Sequence, residues 1–226
     1  MENTNLQRGF GISLICIGLL LLLSGCQGAD EKPVTEMATV LPQAKKMTDF
    51  QLINYGAENF SNDSTKGQWS LFFFGYTRCP DVCPTELYML AELIRRIEEN
   101  PSSLAQAPQV VFVSVDPQQD KPQALRDYAQ FYHPSILGVT GQQSVVDQLT
   151  RTMGAFYERV YHLNGEILVF NVEDGVPQGL ENSYLINHSA TIFLLNPDGD
   201  LHAIFSSPHD PDVMLRDLAA IQSAWN

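Results

Sequence analysis

The stretch Leu71–Pro84, LFFFGYTRCPDVCP, decides how the rest of the chain is read. The run Trp69–Tyr76, with four apolar residues in a row from Leu71 to Phe74, reads as a central strand buried on both faces. After Gly75 the run gives way to two cysteines, Cys79 and Cys83, separated by three residues and each followed by proline. Directly downstream, TELYMLAELIRRIEEN (Thr85–Asn100) carries Leu87, Leu90, Leu93, Ile94 and Ile97 at helical spacing and stops at Asn100-Pro101. A cysteine pair therefore stands where a central strand hands over to the first long helix.

Outward from that junction, Val110–Val115 reads as the next buried strand and closes on Asp116-Pro117. Residues Lys121–Tyr132 and Gln142–Met153 read as amphipathic helices around a short extended piece, Ile136–Val139. Phe156–Tyr161 and Ile167–Val172 look extended. Ala190–Leu195 and Leu201–Phe205, joined by Asn196-Pro197-Asp198-Gly199, form a hairpin, and Asp210–Trp225 makes the last helix. Alternating strands and helices, then a terminal β-hairpin and helix, describe an α/β fold with a mixed central sheet and helices on both faces. A cysteine pair at the end of its first central strand makes that fold thioredoxin-like.

Length and composition fit one domain. The chain has 226 residues, 44% apolar and 17% charged, enough for a single well-buried core. Its net charge of -13 excludes a phosphate-binding surface, so no nucleic-acid partner is expected. Residues 1–25 read as a lipoprotein-type signal peptide. The uncharged run GISLICIGLLLLL is too short for the roughly 20 residues of a membrane span. It is followed by Leu23-Ser24-Gly25-Cys26, which resembles the bacterial lipobox and makes Cys26 the expected lipidation site. Residues 26–46, lacking apolar periodicity and containing Pro33 and Pro42, are expected to be a flexible tether, with the folded domain at 47–226. The expected location is the bacterial cell envelope, lipid-anchored to a membrane with the domain on its extracytoplasmic side. Cys16 leaves with the leader and Cys26 carries lipid, so Cys79 and Cys83 are the only thiols left in the domain.

A thiol at a helix N-terminus faces unpaired amides and the positive end of the dipole, which favour thiolate. Pro80 and Pro84 are tolerable because the amides of a first helical turn have no partners, but Pro84 makes a regular helix across the whole motif doubtful, and the segment reads as a loop entering a helix. One helical turn would put the two Cβ atoms about 5 to 6 Å apart, wider than the roughly 3.5 to 4.5 Å of an unstrained disulfide. That spacing suits a metal between two sulfurs, although the prolines allow enough distortion to keep a redox couple open. Two thiolates select soft ions, Cu(I), zinc or iron. Among His133, His162, His188, His202 and His209, periodicity does not pick a third ligand.

TRCPDVCP after an aromatic strand, VSVDPQQDKP after the next, and NHSATIFLLNPDG near the end resemble, in order and spacing, the Sco/SenC/PrrC family of copper-binding cytochrome c oxidase assembly proteins. The resemblance spans about Met47 to Asn226. It implies copper as the bound metal, one ion as Cu(I) or Cu(II), with Cys79, Cys83 and His188 as ligands. Asp116 and Asp120 match acidic positions of the family, where orientation of the site or contact with a partner is implied rather than metal binding. The segment 159–184 departs from the family in being longer and more apolar. Thioredoxin-like reductases usually place a cis-proline before the strand that follows the active site. Here Asn187-His188-Ser189 stands there, which favours metal capture over disulfide exchange.

Two functions from different classes follow from the resemblance. One is a membrane-tethered copper metallochaperone, not an enzyme, that delivers copper to the binuclear copper site of a cytochrome c oxidase subunit. The alternative is a thiol-disulfide reductase acting on that subunit's copper-ligand cysteines, with Cys79 and Cys83 as its redox pair. Other copper chaperones or thioredoxin-like reductants are the further partners implied. A structural disulfide in an exported binding domain is the bland third option.

Overall fold

A strand that is apolar on consecutive residues needs cover on both sides, and Leu71–Phe74 has it at the centre of a six-stranded sheet. The computed structural model describes residues 33–56, 58–163, 166–170, 178–180 and 183–225. Its elements in chain order are β1 (Ala38–Lys45), β2 (Gln51–Ile53), β3 (Asn59–Ser61), β4 (Ser70–Gly75), α1 (Val82–Glu99), β5 (Gln109–Ser114), α2 (Pro122–Tyr132) and β6 (Ile136–Val139). There follow α3 (Gln143–Met153), β7 (Tyr157–Leu163), β8 (Glu166–Phe170), β9 (Tyr184–His188), β10 (Ile192–Leu195), β11 (Leu201–Phe205) and α4 (Pro211–Ala224). The main sheet runs β1-β11-β10-β4-β5-β6. β4, β5 and β6 are parallel and the other three neighbours antiparallel, which is the mixed α/β sheet that the strand and helix order predicts.

Side chains alternate across β4 and so supply two cores. On one face Phe73 stacks on Phe112 of β5 at 5.9 Å, and Phe112 meets Tyr128 of α2 at 5.8 Å. On this side α1 packs against α2 and α4. On the other face Phe72 meets Phe50 and Phe60 at 6.4 and 6.0 Å, under the β2–β3 hairpin beside α3. Burial of side chains such as Leu87 and Leu90 of α1 stabilises by about 1.5 to 3 kcal/mol each. The terminal hairpin turns at Gly199, whose φ of +82° favours glycine. The Asn196 side chain accepts hydrogen bonds there from the amides of Asp198 and Asp200.

Two expectations change, and one strand appears that no expectation covered. Residues 38–45, read as tether, form β1 on the sheet edge, with Ala38 paired to Phe205 and Val40 to Ala203. The buried Asp217 of α4 accepts the amides of Glu36, Met37 and Ala38 at 2.7 to 2.8 Å. Pro42 is tolerated because the register shifts between Val40 and Lys45 on an edge strand. The folded unit therefore begins before residue 47, at Pro33. Helix α1 starts at Val82, earlier than Thr85, and takes in Cys83 and Pro84. Pro84 is its third residue, where an amide has no intrahelical partner to lose. Finally, Tyr184–His188 is a strand in a second sheet ordered β8-β7-β9. The leader 1–25, Cys26 and tether residues 26–32 lie outside the described residues, as do residues 171–172 of the extended stretch expected to Val172. Among the described residues no helix is long and apolar enough to cross a membrane.

Candidate metal centre

The site lies beyond the carboxyl ends of β4 and β5, where open α/β sheets bind their ligands. Tyr76–Cys79 forms a turn, its last amide bonded to the Tyr76 carbonyl at 3.3 Å. The chain then enters α1, whose first turn carries Cys83. His188 arrives from the far end of the sequence, at the last position of β9 opposite Tyr157. Its Nε2 lies 3.0 Å from the Cys83 sulfur and 3.6 Å from that of Cys79. The three ligand atoms fall within 4.8 Å of one another, and both cysteines are free thiols.

The protonation pattern follows from the surroundings. The Cys83 thiol donates to the Cys79 sulfur and is the largest reason that Cys79 ionises far below an ordinary thiol, at about 3. The imidazole and the amides of Cys83 and Asp81 act in the same direction, against burial. The Cys83 amide sits 3.4 Å from that sulfur, and no side chain caps the helix in its place. Burial, together with the negative charge of Cys79, pushes the Cys83 thiol up. The pair thus holds one proton between two sulfurs. The Nδ1 of His188 is 3.1 Å from the Ser189 carbonyl; a carbonyl only accepts, so a ring hydrogen placed on Nδ1 there would free the Nε2 lone pair for an incoming ion. Two soft sulfurs and an imidazole nitrogen, with the other ring nitrogen against a carbonyl, fit Cu(I) or another soft ion.

Gly75 sets how closely the sulfur approaches the sheet. A Cβ there would lie 2.5 Å from the Cys83 sulfur and 2.7 Å from the Phe112 ring. Asp116 and Asp120 stand outside the ligand cluster and are 0% and 1% exposed, so contact with a partner does not fit them. Asp120 accepts from the Thr77 amide and hydroxyl and from Ser114, at 2.9, 2.5 and 2.7 Å, holding the turn that leads to Cys79. Burial raises its pKa against those hydrogen bonds. Asp116 accepts from the Tyr184 hydroxyl at 2.6 Å and pairs with Arg78 at 3.3 Å.

Three other histidines have structural surroundings. His133 faces Glu98 at 3.5 Å. His202 lies edge-on between Trp69 and Trp225. His209 is tied to Glu86 at 2.7 Å and to the Phe205 carbonyl. His162 is on β7, and its side chain lies outside what is described. Sequence reasoning missed Gly75, Tyr76, Thr77 and Tyr184. Of these only Gly75, a glycine ending an all-apolar strand, carried a local signal of close approach.

The SCO1/SenC family model matches residues 38–223. An SCO2-like protein of Rickettsia conorii is 30% identical over 203 residues, covering 89% of each chain. Among solved structures, Arabidopsis thaliana ScoI with copper bound is 27% identical with a TM-score of 0.64, over 80% of this chain and 99% of that one. The apo Sco1 protein of Thermus thermophilus is 29% identical with a TM-score of 0.61, over 86% and 97% respectively.

Proposed function

The chain belongs to the SCO1/SenC family, and from that premise we propose that it is a copper metallochaperone serving the assembly of a cytochrome c oxidase. The observation that carries the reading is the meeting of two cysteine sulfurs and one imidazole nitrogen within 4.8 Å, from segments 105 residues apart in sequence. The ion is cargo, held by Cys79, Cys83 and His188 and handed to the binuclear copper site of the oxidase subunit. A soft, three-ligand set suits transfer because incoming thiolates replace the resident ligands one at a time. Cys83 is fully buried while His188 is partly open to solvent, so exchange begins at the imidazole side and Cys83 lets go last. The Cys83 proton leaves when copper binds and returns when it departs. Lipidation at Cys26 would keep the domain at the extracytoplasmic face of a membrane, near a membrane-embedded client.

Anaerobic Cu(I) titration of the reduced domain tests this directly. One equivalent is expected for the wild type, with affinity sharply reduced in Cys79→Ser and His188→Ala; a stoichiometry near zero would end the proposal. The low ionisation of Cys79 supports a second reading, a reductase of the client's cysteines. In that reading the Cys79 thiolate attacks a client disulfide, and Cys83 then attacks the mixed disulfide. The client leaves as a dithiol and the Cys79–Cys83 pair as the disulfide. His188→Ala separates the two readings, since the chaperone loses copper affinity while the reduction potential of the pair changes little.

A further inference from the structure

His188 is carried by a strand outside the sheet that carries the cysteines. Among the described residues, β9 pairs only with β7, and the β8-β7-β9 sheet shares no ladder with the six-stranded one. The chain does continue from His188 into β10 four residues later, which fixes the neighbourhood of the imidazole and leaves its approach to the sulfurs to other contacts. Those contacts lie along one edge of β9. Residues 184, 186 and 188 alternate onto the same face of the strand, where Tyr184 and Ile186 are buried.

Each of these positions meets the end of a central strand. The Tyr184 hydroxyl donates to Asp116, just after β5, at 2.6 Å. The Ile186 amide donates to the hydroxyl of Tyr76, just after β4, at 3.1 Å. The Tyr76 ring then meets the His188 ring edge-on, with centroids 6.0 Å apart. The other oxygen of Asp116 faces Arg78, the residue before Cys79, and the Arg78 guanidinium also lies 5.2 Å from the Tyr184 ring centre. Asp116 therefore touches both halves of the site through different side chains. β7 has its own ties to α3, from Tyr157 to Asp147 and from Arg159 to Gln143; these hold β7, whose Tyr157 and Arg159 stand opposite His188 and Ile186, whereas the two hydroxyl ties act on β9 itself.

We propose that Tyr76 and Tyr184 are positioning residues for metal capture, two phenol hydroxyls that dock β9 onto the ends of β4 and β5 and so set the His188 nitrogen against the two sulfurs. The proposal rests on the reading of Cys79, Cys83 and His188 as the copper ligands. Neither tyrosine touches the ion. Each acts through the imidazole, so its effect exists only while the imidazole is present. Loss of one tie leaves a two-sulfur site with a loosely held third ligand.

The test is a double-mutant cycle on Cu(I) affinity, measured by competition with a chromophoric chelator, with Tyr76→Phe and Tyr184→Phe each made in the wild-type and His188→Ala backgrounds. Removing a partner that orients a metal ligand typically weakens binding 10–100-fold. Each Phe variant should lose about tenfold or more in the wild-type background and change little in His188→Ala. Unchanged affinity, or an equal loss in both backgrounds, would overturn the assignment, the second result marking a purely structural role. The two tyrosines are separate arms, so a variant that fails to fold leaves the other decisive. Amide exchange in the metal-free protein gives an independent readout. Tyr76→Phe should speed exchange at Ile186 and leave the β4 amides protected, and unchanged exchange at Ile186 would also overturn the docking role. Should His188→Ala bind copper as well as the wild type, the ligand reading itself fails, and the exchange result still reports whether the hydroxyls hold the strand.

Discussion

Gly75 and the two sulfurs show how single atoms decide this site. A methyl at Gly75 would lie 2.5 Å from the Cys83 sulfur, and the neighbouring Phe112 ring, fully buried, has nowhere to go. Gly75→Ala is therefore expected to destabilise the apo domain by about 1 to 3 kcal/mol, the usual cost of overpacking a filled core, and to weaken copper binding; denaturant melts and chelator competition measure the two effects. A wild-type affinity in a folded Gly75→Ala protein would show that Cys83 is not held where copper needs it. The sulfurs also predict a proton count. Cys79 ionises at about 3 while Cys83 is pushed up, so at pH 7.5 the first is already a thiolate and the second still a thiol. Copper binding should then release one proton, and affinity should rise about tenfold per pH unit, because each unit of pH removes the competing proton tenfold. Two thiols of ordinary pKa near 8.5 would release nearly two; calorimetry in two buffers of different ionisation enthalpy distinguishes the cases. Cysteine chemistry was legible in the sequence because both residues sit in one short motif. His188 was legible only through a resemblance, since nothing local separates it from His202 or His209. Those two are marked as structural by Trp69, Trp225 and Glu86, residues far away in sequence.

At the scale of elements, the strands and helices that announce themselves are those whose partners lie nearby or whose apolar pattern is complete. β4, the β10–β11 hairpin and α4 have such patterns, and the sequence places all of them within one or two residues. β1 is the opposite case. Its alternation is weak, Pro42 interrupts it, and what fixes its start is the carboxylate of Asp217, 179 residues from Ala38. Three backbone amides converge on that carboxylate, so Asp217→Ala leaves them buried or half-buried without an acceptor. Each lost hydrogen bond to a charged group costs roughly 1.5 to 3 kcal/mol. Asp217→Ala should accordingly free residues 36–45, detected as new proteolytic cleavage and faster amide exchange there, while the exchange of β4 and β5 is retained. If β1 stays protected, its pairing with β11 suffices and the carboxylate is dispensable. β9 was hidden for a related reason. It is five residues long, pairs with β7, a strand well upstream in sequence, and owes its place to Tyr76 and Asp116, which no window of sequence around it contains. The start of α1 differs because Pro84, weighed as a break in the helix, falls within its first turn, where proline costs no hydrogen bond.

Across the whole molecule, the site joins regions that the backbone ladders keep apart, so loading it should change the stability of the entire domain. The turn after β4, the first turn of α1 and the end of β9 each contribute one ligand. No short segment holds all three, and the unfolded chain retains only the two neighbouring cysteines. An ion that prefers the native state stabilises it by RT ln(1 + [L]/Kd), about 2.7 kcal/mol at 100 times Kd and about 4.1 at 1,000 times. For a domain of this size each kcal/mol moves the melting temperature by about 2 to 4 °C. Saturating Cu(I) should thus raise the melting temperature of the reduced protein by roughly 5 to 15 °C. His188→Ala should keep a smaller part of that rise, because its remaining cysteine pair also survives in the unfolded chain and binding there subtracts from the effect. The three-ligand reading makes this difference obligatory: if the variant gained as many degrees as the wild type at equal metal saturation, the ion would be held by the cysteine motif alone and β9 would have no part in capture.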